Sequence, residues 1–228
     1  MTRPVLLDLF CGAGGAAIGY RRAGFDVLGV DTKPQPDYPG AFLREDWRDV
    51  LRSLGGAVYL VHASPPCQGY SPYVSSKSSS YAGTLGQDEP RLIADVREEL
   101  QRLGKPYVIE NVLGAKDDMR PTLALCGTMF GLPIPRHRYI EASFPVPQPA
   151  HMPCSGIAAR YADERGWDRR DMTVTGKGRR AGTKDRWREV MGWPDDVPVT
   201  QHGLREAIPP AYSEHIGRAW MAAMAPAL

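Results

Sequence analysis

A chain of 228 residues, 43% hydrophobic and 24% charged, has the balance of a folded globular protein and enough length for one large core with a small appendage. That composition excludes a collagen-like or charge-dominated disordered chain, and no apolar run approaches a membrane span. The opening "MTRPVLLDLF" holds only a short apolar run before Asp8, unlike a secretion signal, so the protein is expected to be soluble and cytoplasmic.

In chain order, "PVLLDLF" reads as a buried strand and "GAGGAAIGYRRAG" as a glycine turn running into a helix. "FDVLGVD" is a second strand, "REDWRDVLRSLGG" a helix closed by glycines, and "AVYLVHA" a third strand. "PRLIADVREELQRLG" sets Leu92, Val96, Leu100 and Leu103 on one helical face and stops at a glycine, and "KPYVIENV" is a further strand. Short apolar strands alternating with helices of this length predict an α/β fold with a doubly wound, mostly parallel sheet.

Beyond residue 145 the pattern changes. "FPVPQPAHMPCSG" reads as a proline-rich extended connector, followed by a Gly- and Arg-rich stretch of little periodicity. Helical spacing returns in "RWREVMGW" and in "PPAYSEHIGRAWMAAMA", where Ile216, Trp220 and Met224 share a stripe. The expected organisation is an α/β domain over 1–145, a small basic insert over 146–185, and a return segment over 186–228.

The formal net charge is +2, but residues 160–188 carry ten Lys/Arg against five Asp/Glu. Clustered cations of this kind are the electrostatic footprint of phosphate binding, and equally of a solvated loop. The four cysteines, Cys11, Cys67, Cys126 and Cys154, form no CxxC pair. His151 and Cys154 come nearest to a ligand pair, with nothing nearby in sequence to complete a set of four, so neither a metal nor a disulfide framework is expected.

"LDLFCGAGGAAIG" places a glycine-rich turn at the carboxyl end of the first strand, where Gly12 and Gly14 permit close approach of a ligand. Asp31 ends the second strand, 19 residues after Gly12, at the position of a ribose-binding carboxylate. Asp46 fits either an adenine contact or a helix cap. The spacing Gly12-x-Gly14-x-x-Ala17 also suits a dinucleotide, so a nicotinamide-dependent oxidoreductase is a rival on this motif alone. "SPPCQGYS" then stiffens the chain with Pro65 and Pro66 immediately before Cys67 and loosens it after. A buried inert cysteine needs no such pedestal, whereas a thiol nucleophile must be presented in a fixed direction.

These stretches, in this order, resemble the DNA cytosine-5 methyltransferases. "DLFCGAGG" is similar to the family's cofactor motif, "PPCQGYS" to its nucleophile motif, "ENV" (110–112) to its catalytic-glutamate motif and "FGLPIPRHRYIEA" to its arginine motif. "REVMGWPDD" and "AIPPAYSEHIG" resemble the two closing motifs. The resemblance implies the Rossmann-like methyltransferase fold and S-adenosylmethionine as cofactor, held by Phe10, Gly12, Ala13, Gly14, Asp31, Asp46, Trp47, Pro66 and Ile208. It implies catalysis by Cys67, Glu110, Asn111, Arg136 and Arg138 on a cytosine flipped out of double-stranded DNA, by a protein acting as a monomer without a metal. The two arginines alternate on an extended segment and should share one face, and "GYSPYVSSKSSSYAG" would be a loop closing over the base.

The departures are specific. Ile134 stands where the family usually has a glutamine, and Arg205-Glu206 precede "AIPP" where a Gly-Asn pair is usual. Alternative readings are methylation of RNA, transfer of a larger group from a modified donor whose extra carboxylate pairs with Arg205, or a catalytically weak DNA-binding relative. Only about forty residues separate "RHRYIEASF" from the next helix, too little surface to read many base pairs, although Trp167 or the nearby arginines would be placed to probe bases.

Overall fold

The computed structural model describes residues 2–70, 90–151, 153–172, 174 and 182–224. Seven strands form one sheet: β1 (Val5–Leu9), β2 (Asp26–Asp31), β3 (Ala41–Arg44), β4 (Leu60–Ala63), β5 (Tyr107–Asn111), β6 (Leu123–Leu125) and β7 (Arg138–Ala142). Their spatial order is β3-β2-β1-β4-β5-β7-β6, parallel except for β7, which runs antiparallel to both neighbours. The expected doubly wound, mostly parallel sheet is therefore present. The central strands are largely buried because both faces are covered, as in β4, whose four residues are all buried.

Helices α1 (Gly15–Arg22) and α7 (Pro210–Met224) cover one face. They can lie close because Gly19 and Gly217 sit at the contact: a Cβ on Gly19 would strike the Pro210 carbonyl and the Ser213 hydroxyl, and one on Gly217 the Ala23 methyl. Helices α2 (Trp47–Leu54) and α3 (Ile93–Leu103) cover the other face through Trp47, Val50, Leu51, Ile93, Val96 and Leu100. Asp46 caps α2, accepting from the Arg48 amide at 2.8 Å, and Gly104 ends α3 in the left-handed conformation.

A third apolar cluster lies outside the sheet. It joins α4 (Ile157–Glu164), α5 (Lys184–Met191) and α6 (Gln201–Glu206) through Ala162, Trp187, Val190, Met191 and Leu204, against Ile18 and Ile134. Helix α4 falls in a stretch read as non-periodic. Its apolar positions are too few to mark a face, and one fully buried residue, Ala162, carries its packing. Strands β3 and β6 were not expected either, being four and three residues long with no strong alternation.

The hairpin-like return from β6 to β7 corrects a second expectation. The register pairs Leu125 with Arg138, so Cys126 and His137 flank the end of the ladder together. The connector folds back over them, and His151 and Cys154 are not alone: the ligand atoms of Cys126, His137, His151 and Cys154 all lie within 4.8 Å of one another. Among the described residues no helix is long and apolar enough to cross a membrane.

Candidate active site

The chain winds from β1 outward through β2 and β3, then returns to place β4 on the other side of β1. That reversal opens a crevice at the carboxyl ends of β1 and β4, the position where open α/β sheets take ligands. Here it is a cleft of about 500 Å³. The turn after β1 and the Pro65-Pro66-Cys67 segment after β4 both empty into it.

The glycine turn is shaped by positive backbone angles: Phe10 at φ 57° and Gly12 at φ 48°. For a phenylalanine this is a costly conformation, tolerated where the surroundings impose it, and it turns Phe10 toward Trp47, with ring centroids 5.7 Å apart. A Cβ on Gly12 would meet nothing within 4 Å, so the turn presents bare backbone to the cleft. Gly14 does something else. It precedes α1 in the left-handed conformation, its Cβ direction is blocked by Pro39, and it does not line the cleft; Gly15 lines it instead.

Phe10, Gly12, Ala13, Asp31, Asp46, Trp47, Pro66 and Ile208 all line the cleft, with Cys67, Glu110, Asn111 and Arg138. Asp31 accepts from the Gly12 amide at 3.2 Å and the Lys33 amide at 2.9 Å, which fixes its carboxylate at the end of β2.

Glu110 is buried at the end of β5 and pairs with the Arg138 guanidinium, Nε to Oε1 3.0 Å. Burial raises its pKa; Arg138, the Ser64 hydroxyl and Arg136 oppose the rise without cancelling it. Behind Ser64 a buried chain continues. The Ser64 hydroxyl lies 3.0 Å from His62 Nε2, and Tyr20 Oη lies 3.0 Å from His62 Nδ1. His62 is held neutral, its pKa lowered by burial to about 3. Asn111, the next residue of β5, donates to the Pro65 carbonyl at 2.9 Å and accepts from the Val112 amide at 2.9 Å, tying the cysteine segment to the strand. The Cys67 thiol is partly exposed, and its pKa is raised by burial and by the carboxylates of Glu110 and Glu206, against the pull of Arg138.

The two arginines do not play one part. Arg138 faces Glu110 in the cleft. Arg136 is buried and spent elsewhere: its Nη2 donates to the Arg205 carbonyl at 2.5 Å, and its own carbonyl accepts from Tyr212 Oη. Both do line a second cavity, of about 660 Å³, between β7 and α4. Arg205 does not line the cofactor cleft; its guanidinium contacts His202 and Glu206, so the modified-donor reading loses its counter-ion. Trp167 is flanked by the guanidinium groups of Arg165 and Arg186, at 5.9 and 4.9 Å from its ring. The loop expected over 69–83 lies, beyond Tyr70, outside the described residues.

Several cleft residues went unread in the sequence, among them Asp8, Ser64 and His202. Asp8 had a signal, since a carboxylate inside "PVLLDLF" is out of place in an apolar strand. It is buried, takes a hydrogen bond from Tyr38 Oη at 3.1 Å on Oδ2, and has no partner on Oδ1 among the described residues.

This fold is that of the methyltransferases. The methyltransferase EhMeth of Entamoeba histolytica superposes with a TM-score of 0.62 at 12% identity, covering 98% of this chain and 99% of that one. By sequence, about half of the chain is similar to proteins named type II methyltransferases. It is 31% identical to M.AgeI of Thalassovita gelatinovora over 124 residues, and 30% identical to M.XorII of Xanthomonas oryzae pv. oryzae over 130. Those alignments cover 47% and 50% of this chain but only 28% and 29% of the relatives, so the match spans under a third of their length. No protein-family model matches.

Methyltransferases of this fold take their methyl group from S-adenosylmethionine. The cleft fits it. Gly12 leaves open backbone, Asp31 offers carboxylate oxygens at the end of β2, and the unpartnered Asp8 Oδ1 suits a cation such as the ammonium of its amino-acid end.

Proposed function

We propose that this chain is a DNA (cytosine-5) methyltransferase in which Cys67 adds to the base. The observation that supports this most strongly is the shared cleft: a proline-held thiol, a buried carboxyl group and its arginine line the same crevice as the glycine turn and Asp31.

Carbon 5 of cytosine is a poor nucleophile, so the ring must first be made electron-rich. Cys67 Sγ forms a bond to carbon 6, and the ring's electron pair moves toward carbon 5 and nitrogen 3. Glu110, whose proton affinity is raised by burial, donates a proton to nitrogen 3 and offsets the charge that builds there. A neutral Glu110 also removes one of the carboxylates that hold the Cys67 thiol protonated, so the proton on Glu110 and the thiolate on Cys67 favour each other. Bound S-adenosylmethionine supplies an electrophilic methyl group to this site. Loss of the carbon 5 proton and departure of the Cys67 thiolate restore the aromatic ring.

Asn111 holds the Pro65 carbonyl and thereby aims Cys67. Arg138 orients Glu110, and Arg136 fastens β7 to the segment before α7. The cavity between β7 and α4 lies where a base taken from the duplex would approach, and the cations of residues 160–188 supply phosphate affinity. We assign the catalytic body to 1–145, the DNA-contacting insert to 146–185 and the return segment to 186–228.

Incubation of the purified chain with DNA and S-adenosylmethionine, followed by mass spectrometry of the released nucleosides, tests this reading. It predicts 5-methyldeoxycytidine. Methylation found only on adenine, or only on RNA, would contradict it.

A further inference from the structure

Among the described residues, a four-residue cluster beside the start of β7 lies outside the cleft. We propose that Cys126, His137, His151 and Cys154 hold a structural zinc ion that fastens the root of the basic insert to the segment carrying the two arginines.

The four side chains come from three separate places. Cys126 follows β6, His137 precedes β7, and the register Leu125 with Arg138 makes them neighbours across the ladder. His151 and Cys154, three residues apart, come from the connector that folds back over that ladder end. Their donor atoms all lie within 4.8 Å of one another, and Cys154 Sγ lies 3.7 Å from His137 Nε2. Zinc bound at about 2.0–2.3 Å to nitrogen and sulfur in a tetrahedron sets its ligands roughly 3.3–3.8 Å apart. Small side-chain rotations therefore close the set.

The chemistry selects the ion. Two thiols and two imidazoles are borderline-soft donors that suit zinc and not calcium or magnesium. Two thiolates with one divalent cation make a neutral group, which lets the buried Cys126 ionise without an exposed counter-charge. An outer contact is in place: the Thr128 hydroxyl lies 3.2 Å from Cys126 Sγ. Four protein ligands leave no open position, so the site is structural. Its consequence is positional, because His137 stands between Arg136 and Arg138 and α4 begins three residues after Cys154.

The test is elemental analysis of the full chain purified without a polyhistidine tag, with no substrate present. About one zinc per chain is expected. Replacement of zinc by cobalt(II) should give thiolate-to-metal charge transfer and the intense visible bands of a tetrahedral ion. Cys154→Ser and His151→Ala, which alter the less buried ligands, should each lower zinc content and the cobalt bands while circular dichroism reports a folded chain. A folded, metal-free protein that takes up no zinc overturns the proposal, as does zinc retained in full by both variants or a six-coordinate cobalt spectrum. The readout is independent of which base the cleft accepts.

Discussion

At the scale of single residues, the chemistry rests on carboxyl groups whose proton affinity burial raises. Glu110 and Asp8 are both carboxyls pushed upward by desolvation, but Glu110 has a guanidinium against it and Asp8 has only a tyrosine hydroxyl. Glu110→Gln keeps the shape and the contact to Arg138 while removing the proton donor. It should slow transfer by about 10²- to 10⁴-fold, the usual worth of a positioned acid, with cofactor binding by calorimetry unchanged. Asp8 shifts from 3.8 to about 8. The folded chain thus binds a proton that the unfolded chain releases across that window, so Asp8 makes the cofactor-free protein less stable as pH rises from about 4 to 8. Asp8→Asn should flatten this decline, measured by urea unfolding at several pH values. An unchanged slope would show that Asp8 is not held protonated. Much of this was legible in the sequence. Pro65-Pro66-Cys67, Glu110-Asn111 and Arg138 stand in local patterns whose residue types report their chemistry. Arg136 and Arg138 line one cavity as their alternation implied, but alternation gives the face of a side chain and not its partner, for Arg136 a carbonyl 69 residues away. Asp8, Ser64 and His202 reach the cleft only through the winding of the chain.

At the scale of elements, the cleft depends on how closely α1 and α7 approach, since α7 begins two residues after Ile208, which lines the cleft. Gly19→Ala tests that approach. In an exposed helix the change would stabilise by up to about 1 kcal/mol. Here the added methyl meets the Pro210 carbonyl and the Ser213 hydroxyl, so overpacking should win and cost about 1–3 kcal/mol, seen as a lower urea midpoint. Long, strongly patterned elements were readable: α3, α7 and the four central strands declare themselves by periodicity. Strands β3 and β6 and helix α4 did not, because each is short and takes its stability from neighbours. The cysteine–histidine cluster was hidden for a related reason. Its ligands are spaced irregularly in sequence, and only the antiparallel register of β6 with β7 makes two of them adjacent.

At the scale of the molecule, one cleft is built from both halves of the sheet, and the chain left for reading DNA is small. Its described part packs its own aromatic residues. Trp167 lies between two guanidinium groups, and Ala162, Met172 and Trp187 fill a common core. The insert spans only about forty residues, so the protein should methylate cytosines in a short or relaxed sequence context; bisulfite sequencing that maps a long, stringent site would refute this. Affinity should come mainly from phosphate contacts and fall steeply with salt.

The bond between Cys67 and carbon 6 of the base is the centre of the account, and trapping measures it most directly. DNA carrying 5-fluorocytosine cannot lose the substituent at carbon 5, so the adduct should persist. Incubation with S-adenosylmethionine, digestion and peptide mass spectrometry are predicted to find the nucleotide on the peptide containing Cys67, with none on Cys67→Ala. Turnover without an adduct, or an adduct on another residue, would contradict the account.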